Sequence, residues 1–352
     1  MIPPGETIGI LGGGQLGRMI AMAAAQLGYR CHIYAPEADS IAAEVSAAFT
    51  CAAWDDAEAM ARFATDCAVV TYEFENVPVA PLSALGDVPL HPHPRALEIA
   101  QDRLSEKVFV GKLGGSPAPF AAVDNDADLS AAVTRIGVPG IFKTRRDGYD
   151  GKGQWRINKE DGALAFDIPA SGLVYEGFID FFAEFSVILC RSEDGDIRYW
   201  DTPQNDHQSG ILATSSVPAT AGVREQEAEA RALASRIAEA LDYVGVLTCE
   251  FFAASDGPVF NEMAPRVHNS GHWTIEGALT SQFENHVRAI CGLPLGDTSL
   301  AAQAVEMKNL IGDAAHDWPQ ILSDPANHLH LYGKAAARPG RKMGHVTRLV
   351  IE

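Results

Sequence analysis

One stretch of this sequence separates the possible folds: KTRRDGYDGKGQ, residues 143–154. It lies between two strand-like segments, so it connects strand to strand and not strand to helix. Lys143 ends the first strand, where it could contact ATP phosphates while the glycine loop covers them with backbone N–H groups. A basic surface turn is the alternative, but Tyr149 and Asp150 between the glycines are unusual in a solvent turn. The stretch therefore favours a phosphate-covering loop in a small lid.

A hairpin further along the chain predicts two facing glutamates. Two apolar strands flank the turn Asp256-Gly257, and a register centred on this turn pairs Glu250 with Glu262 to within one residue. Facing carboxylates repel each other unless a cation binds them, and oxygen ligands near phosphate indicate Mg²⁺. Asn261 can add a carbonyl oxygen. In the alternative, one of the two glutamates points into solvent and binds nothing.

The segment APRVHNSGHWT, residues 264–274, follows the second strand of this hairpin. It is dense in hydrogen-bond donors, so it can hold a small oxyanion next to the phosphate that activates it. A capped helix start at Ser270 is a second interpretation, and the two are compatible.

The segment GGGQLG, residues 12–17, fits G-x-G-x-x-G between a strand and a helix. Together with Glu37 after the second strand, it would by itself predict an NAD-dependent dehydrogenase. The match is weak evidence, because glycines are needed wherever a strand turns tightly into a helix over any phosphate. A tight turn that binds nothing is a further alternative. An NAD enzyme would leave the glutamate pair and the basic loops unexplained.

The charge distribution limits the partners. The net charge of -19 argues against nucleic acid or an anionic membrane. Five of the 27 Lys and Arg nevertheless lie in residues 143–156 and five in residues 334–348, both Gly-containing stretches. Such clusters outweigh a diffuse negative surface locally, so these stretches are candidate sites for anionic small molecules.

Composition indicates a soluble protein of two or three lobes. The chain has 352 residues, 47% of them hydrophobic, and no apolar run reaches the roughly 18 residues of a membrane helix. The start of the sequence lacks the pattern of a secretion signal, so we expect a cytoplasmic protein. The six cysteines show no C-x-x-C pair, which favours reduced core thiols and gives no support for zinc.

The order of predicted elements indicates an α/β protein. Strands alternate with helices over residues 1–100, which predicts a parallel sheet with helices on both faces. One helix is predicted from about residue 94 to 113, and a lid of short strands follows. We expect a first domain at 1–100, a central domain at 101–291 with its lid at about 119–178, and a small C-terminal lobe at 292–352.

These motifs together resemble the ATP-grasp superfamily, and most closely the N5-carboxyaminoimidazole ribonucleotide synthetases. The resemblance extends from GGGQLGRM at 12–19 to GRKMGHV at 340–346. Its most specific segments are TYEFEN at 71–76, Asp102-Arg103, GYDGKGQ at 148–154, NEMAPRVHNSGHW at 261–273, SQFENHVRAI at 281–290 and RPGRKMGH at 338–345. It implies an ATP-grasp fold with an N-terminal Rossmann-like parallel-sheet domain, a central ATP-grasp lid and body, and a small C-terminal lobe.

The resemblance also assigns candidate site residues. Positions that match ATP-contacting residues are Arg103, Lys143, Gly148, Tyr149, Asp150, Gly151, Lys152, Gly153, Gln154, Glu176, Gly177, Phe178, Ile179, Glu184, His207, Asn261 and Glu262. Glu176 to Ile179 would hold adenine and Glu184 the ribose hydroxyls. The matching Mg²⁺ ligands are Glu250 and Glu262. Two departures are Lys152, where arginine is common, and Gly177 in the adenine segment, where only the backbone should matter.

The remaining matches concern the sites for bicarbonate and for the ribonucleotide. The pocket for bicarbonate and carboxyphosphate, with the catalytic groups, is implied at Tyr149, Asp150, Arg266, His268, Asn269 and Lys342. The ribonucleotide site is implied at Gln15, Leu16, Glu73, Ser270, Lys334 and Arg341, together with Arg266, His268, Asn269 and Lys342. Asp150 is the first candidate for proton transfer and His268 the second.

The resemblance implies an activity, its cofactors and an assembly. We expect carboxylation of 5-aminoimidazole ribonucleotide in purine biosynthesis, with ATP, two Mg²⁺ ions and bicarbonate as co-substrate, in a homodimer. Three alternatives remain open: another ATP-grasp ligase, for instance one that uses formate, an NAD-dependent dehydrogenase, or a non-catalytic nucleotide-binding regulator.

Overall fold

The computed structural model describes residues 1–148, 153–158 and 168–351. The helices are α1 Gln15–Gln26, α2 Ala57–Thr65, α3 Pro94–Ala100, α4 Arg103–Lys112, α5 Asp126–Ile136, α6 Ala221–Ala240, α7 Thr274–Gly277, α8 Gln282–Ile290 and α9 Trp318–Leu322. The strands are β1 Thr7–Leu11, β2 Arg30–Ala35, β3 Ala48–Cys51, β4 Val69–Tyr72, β5 Phe120–Val123, β6 Gly140–Thr144, β7 Gln154–Ile157, β8 Leu173–Gly177, β9 Ala183–Arg191, β10 Ile197–Tyr199, β11 Gln204–Gln208, β12 Ile211–Val217, β13 Gly245–Ala254, β14 Gly257–Ala264, β15 Ala304–Ile311, β16 Asn327–Leu331 and β17 Lys342–Val350.

The N-terminal sheet confirms the predicted parallel arrangement. Its strand order is β3-β2-β1-β4, and each neighbouring pair is parallel. Apolar residues of β1 and β2 are buried completely, as expected for a sheet that is covered on both faces. Helix α1 packs against α8, and residues of both contribute to one hydrophobic core. The glycine segment that precedes α1 is thereby fixed beside the central body of the protein.

Two further sheets form the rest of the chain. The antiparallel sheet β5-β8-β6-β7 lies within the predicted lid, and its strand β6 ends at Thr144. The largest sheet has the order β14-β13-β9-β11-β12-β15-β17-β16, with β10 paired to β9. The C-terminal strands β15 to β17 therefore extend the central sheet through the β12–β15 pair. The boundaries of the three domains stay predictions.

The prediction of a single helix from 94 to 113 is wrong, because the chain forms two helices there. Two helices, α3 and α4, replace it, because the Asp102 carboxylate accepts hydrogen bonds from the backbone N–H groups of Leu104 and Ser105. Such an N-cap starts a new helix. The break changes the direction of the chain and turns Arg103 toward the hairpin β13–β14.

The burial pattern agrees with reduced cysteines. All six are free thiols; five are buried and Cys51 is exposed. Among the residues that the structure describes, no helix has both the length and the apolar character needed to cross a membrane.

Candidate functional site

The hairpin β13–β14 confirms the predicted register. Glu250 lies directly opposite Glu262, and a bulge follows Glu250. The Glu250 side chain is 13% exposed and its Oε1 lies 3.2 Å from His268 Nε2. The Glu262 side chain is 42% exposed and its Oε2 accepts a hydrogen bond from Arg103 Nη1 at 2.8 Å. Both carboxylates therefore face the same side of the sheet.

The two carboxylates ionise differently. Burial, reinforced by the neighbouring Glu262, raises the pKa of Glu250 to about 7. Burial acts in the same direction on Glu262, but Arg103 and Lys143 outweigh it and lower the pKa of that carboxyl. Two carboxylates that face each other across neighbouring strands repel, and a bound cation would relieve that repulsion.

The donor set fits Mg²⁺. Two carboxylates on adjacent strands offer oxygen ligands only, and Mg²⁺ commonly takes one or two carboxylates plus phosphate and water oxygens. Over residues 1–148, 153–158 and 168–351 no three Asp, Glu, His or Cys side chains come together as a metal site. A cation at Glu250 and Glu262 would therefore need oxygens from a bound phosphate or water.

A buried cation cluster lies beside Glu262. The carboxylate of Glu176 pairs with Lys143 Nζ at 2.9 Å and with Lys107 Nζ at 3.2 Å. Burial lowers the pKa of Lys143, although Glu176 opposes that effect. Arg103 joins the cluster to the lid, because its Nη2 donates to the Gly148 carbonyl at 3.0 Å. The arrangement is suited to hold the polyphosphate of a nucleotide under the lid.

One cavity of about 910 Å³ is lined by 13 of the 24 predicted site residues that the structure describes. Predicted residues that line it are Gln15, Leu16, Glu73, Arg103, Gly148, Glu250, Glu262, Arg266, His268, Asn269, Lys334, Arg341 and Lys342. A smaller cavity of about 230 Å³ is lined by Glu184 and His207, whose Oε2 and Nδ1 lie 3.0 Å apart. Predicted residues that line neither cavity are Lys143, Gly153, Gln154, Glu176, Gly177, Phe178, Ile179, Asn261 and Ser270. Tyr149, Asp150, Gly151 and Lys152 lie outside the described residues.

The segment after β14 lines the larger cavity with Arg266, His268 and Asn269. Burial, reinforced by Arg266 and Lys342, lowers the pKa of His268 well below its ordinary value, so the ring is neutral. The Ser270 backbone N–H donates to His268 Nδ1 at 3.3 Å, which assigns the ring hydrogen to Nε2, facing Glu250. Both ring nitrogens of His268 are therefore engaged.

The glycine segment before α1 holds a carboxylate of the chain itself. Glu73 Oε1 accepts from the Gly14 N–H at 2.8 Å, and Oε2 accepts from the Gly17 N–H at 3.3 Å. Gly12 has φ +117°, and a Cβ there would lie 2.6 Å from Glu73 Oε1. In a dinucleotide fold these N–H groups bind pyrophosphate. Here Glu73 fills that position, which argues against an NAD site.

Several residues of the site escaped the sequence analysis. Lys107 could have been found, because it lies one turn after Arg103 on the same face of α4. Glu106, which lines the larger cavity, accepts from the Met263 N–H at 2.7 Å; burial, reinforced by Glu262, raises its pKa to about 8. Glu75, which contacts Arg266, and Asn309, which contacts Asn269, gave no local signal.

Comparison with known proteins identifies related families and structures. Residues 5–101 match the ribonucleotide synthetase preATP-grasp domain, 108–283 the ATP-grasp domain, and 306–350 the phosphoribosylaminoimidazole carboxylase C-terminal domain. The chain is 50% identical to the N5-carboxyaminoimidazole ribonucleotide synthase of Brucella melitensis, over 99% of this chain and 97% of the relative.

Solved structures agree with this similarity. The N5-carboxyaminoimidazole ribonucleotide synthetase of Thermus thermophilus superposes with a TM-score of 0.89 at 45% identity, covering 97% of this chain and 93% of that one. The Aspergillus clavatus synthase, solved with ADP and 5-aminoimidazole ribonucleotide, gives a TM-score of 0.88 at 31% identity, covering 98% and 94%.

These findings confirm the ATP-grasp fold with its N-terminal parallel sheet, and the interpretation of the glycine segment as an NAD site is wrong. The similarity covers nearly the whole of both chains, at an identity far above the level at which only the fold is shared. The chain belongs to the N5-carboxyaminoimidazole ribonucleotide synthase family of ATP-grasp ligases.

Proposed function

We propose that this protein carboxylates the amine of 5-aminoimidazole ribonucleotide at the expense of ATP and bicarbonate, giving N5-carboxyaminoimidazole ribonucleotide, ADP and phosphate. The observation that carries the proposal is the set of residues that line the larger cavity. Its lining combines a carboxylate pair suited to Mg²⁺, the donors Arg266 and Asn269 with His268 between them, and the basic segment that contains Lys334 and Arg341. Relatives of the same family carry this activity in their names.

In the first step, a bicarbonate oxygen attacks the γ-phosphorus of ATP. A new P–O bond forms, the bond to the bridging oxygen breaks, and ADP leaves carboxyphosphate behind. Lys143 and Arg103 would hold the phosphates, while Arg266 and Lys342 would hold the bicarbonate. Mg²⁺ bound at Glu250 and Glu262, as two ions, would offset the charge on the phosphate oxygens.

In the second step, the exocyclic amine attacks the carboxyl carbon of carboxyphosphate, or of CO₂ released from it in place; the C–O bond to phosphate breaks, and the nitrogen loses a proton. Because both ring nitrogens of His268 are engaged, Asp150 remains the first candidate to accept that proton. An Asp150→Asn change is then expected to lower turnover by about 10²–10⁴-fold and leave ATP binding nearly unchanged. Turnover close to that of the wild type would remove Asp150 from this role.

The finer assignments belong to the same proposal. Gln15, Leu16, Glu73 and Ser270 would hold the ribonucleotide, with Lys334 and Arg341 near its phosphate. Glu176 to Ile179 would lie along adenine, where the Glu176 carboxylate is already paired with lysines, so the backbone of the segment is left for the base. We also propose a homodimer in the cytoplasm, which sedimentation equilibrium and cell fractionation would test.

The decisive experiment measures ADP release from Mg·ATP with bicarbonate and ribonucleotide each present or omitted. We expect ADP to form in step with consumption of the ribonucleotide and only when bicarbonate is present. Formate replacing bicarbonate as the stimulating acid would assign the chain to a different ATP-grasp reaction. Absence of ADP under every condition would contradict the enzymatic function and favour a nucleotide-binding regulator.

A further inference from the structure

Four consecutive residues, Arg266–Asn269, form the anion loop, and three of them line the larger cavity. Each of those three is held by a side chain from a different part of the chain. Arg266 is bound by Glu75 of the N-terminal region, His268 by Gln282 of α8, and Asn269 by Asn309 of β15. The loop therefore takes its position from three separate segments that the fold brings together.

Gln282 holds the main chain of the loop. Its Oε1 accepts from the His268 N–H at 2.9 Å, and its Nε2 donates to the His268 carbonyl at 2.7 Å. Gln282 is completely buried. A Cβ at Gly271 would lie 2.7 Å from Gln282 Oε1, so Gly271 leaves the space that this amide occupies. The two hydrogen bonds fix His268 in the manner of a neighbouring β-strand.

The other two partners hold side chains. Glu75 Oε2 accepts from Arg266 Nη2 at 2.7 Å, and Arg266 Nη1 donates to the Val267 carbonyl, which directs the guanidinium. Asn309 and Asn269 exchange two amide hydrogen bonds at 2.8 and 2.9 Å, and both residues are buried. Asn309 Nδ2 also donates to the Leu212 carbonyl, which fixes its orientation.

We propose that Glu75, Gln282 and Asn309 are positioning residues that set the affinity of the anion loop for bicarbonate, an inference that rests on the function proposed above. Bicarbonate has only four heavy atoms, so its binding depends on a few donors held within about 0.5 Å of their productive positions. ATP, in contrast, is held by many groups. Loosening the loop should therefore raise the KM for bicarbonate far more than the KM for ATP.

The first test replaces Gln282 with methionine, which keeps the length of the side chain and removes both hydrogen bonds to His268. Asn285 supplies a matched control on the same helix. It is also completely buried, and its amide likewise clamps one backbone residue, Gly296, through bonds of 2.7 and 3.3 Å. Gln282→Met and Asn285→Leu thus each remove two amide hydrogen bonds to one backbone residue, and Gln282→Met also removes a 3.3 Å contact with His272 Nδ1. Only Gln282→Met acts on the anion loop.

We expect Gln282→Met to raise the bicarbonate KM by about 10-fold or more, with the ATP KM changed by less than about twofold. Asn285→Leu should lower the Tm by about as much as Gln282→Met does. It should leave the bicarbonate KM unchanged. An equal rise of both KM values in Gln282→Met, or the same bicarbonate effect in Asn285→Leu, would overturn the positioning role.

Glu75→Gln provides the second test in case Gln282→Met does not fold. The Glu75 side chain is 32% exposed, so the change should not impair folding. We expect a smaller rise in the bicarbonate KM, about 3- to 10-fold, because one neutral acceptor remains for Arg266. An unchanged bicarbonate KM would overturn the inference. Wild-type protein without any bicarbonate dependence would instead contradict the proposed function itself.

Discussion

The glycine segment 12–17 and the hairpin pair Glu250/Glu262 differ in how their carboxylates are paired. At the glycine segment, both oxygens of the Glu73 carboxylate accept hydrogen bonds from backbone N–H groups of the chain. At the hairpin, two carboxylates face each other, and burial with mutual repulsion raises the pKa of Glu250 to about 7. The backbone N–H groups of the first region thus have their acceptor within the protein, whereas the carboxylates of the second region need a bound cation.

This difference shows how to separate a structural motif from a binding motif. A glycine-rich helix start predicts an anion, but the anion can be a side chain of the same protein. Facing carboxylates have no such internal solution, because Arg103 pairs with Glu262 whereas the His268 ring that contacts Glu250 is neutral. The residues that the chain leaves incompletely paired indicate the ligand more reliably than the motif that matches a known pattern.

The strongest test of the contrast is Glu262→Gln. We expect turnover to fall by about 10³-fold, because about 4 kcal/mol of charge stabilisation at the phosphate depends on the cation held there. Initial rates over a range of Mg²⁺ concentrations would measure the loss. Asp324→Asn, at a partly exposed carboxylate that pairs with Arg348 at 3.0 Å, is the control and should retain full turnover. Normal turnover of Glu262→Gln at ordinary Mg²⁺ would remove Glu262 from the cation site.

Gly12→Ala should affect stability and not the cation. The backbone at Gly12 has φ +117°, and the new Cβ would collide with the Glu73 carboxylate. Backbone strain and overpacking together should lower the free energy of opening around α1 by about 3 kcal/mol. Hydrogen exchange of peptides that cover residues 7–26 measures this quantity.

Gly5→Ala is the matched control for that change. Gly5 also has a positive φ, +97°, but a Cβ at this position would meet no atom within 4 Å, so only the strain of about 1 kcal/mol should appear. Equal effects at the two glycines would show that Glu73 does not press against Gly12.

Glu73→Gln tests the internal carboxylate directly. Glutamine supplies one acceptor where Glu73 supplies two, so either the Gly14 or the Gly17 N–H loses its partner. An unsatisfied buried N–H should lower the free energy of opening around α1 by about 1–2 kcal/mol. Burial raises the pKa of Glu73, which reduces the net stabilisation that its charge provides. A more protected α1 in the variant would mean that relief of the buried charge exceeds the lost hydrogen bond.

Local patterns predicted the parts of this molecule that depend on neighbours in sequence. The parallel sheet followed from the alternation of elements, and the pairing of Glu250 with Glu262 followed from the turn at Asp256-Gly257, since a short hairpin fixes its own register. The break between α3 and α4 was missed because the capping signal of Asp102 lies inside an otherwise helical pattern.

Contacts between distant residues could not be predicted in this way. Glu73 reaches Gly14 across 59 positions, and Arg266 reaches Glu75 across 191. No periodicity or turn encodes such contacts; they arise only when the sheets and helices have packed. The candidate site residues carried over from the resemblance stay predictions, although most of those in the described segments line the two cavities.

The smallest effect is expected from Glu44→Gln. This change tests whether a carboxylate must be buried, or only near α1, to stabilise that helix. Glu44 Oε2 lies 2.7 Å from Arg18 Nη1, as close as any contact of Glu73, but the Glu44 side chain is 53% exposed. Water already solvates this carboxylate, and Arg18 keeps a second acceptor in the Ile41 carbonyl at 2.9 Å. The free energy of opening around α1 should therefore change by less than about 0.5 kcal/mol. If hydrogen exchange gave Glu44→Gln the same effect as Glu73→Gln, charge near the helix, and not the buried pair of hydrogen bonds, would stabilise the glycine segment.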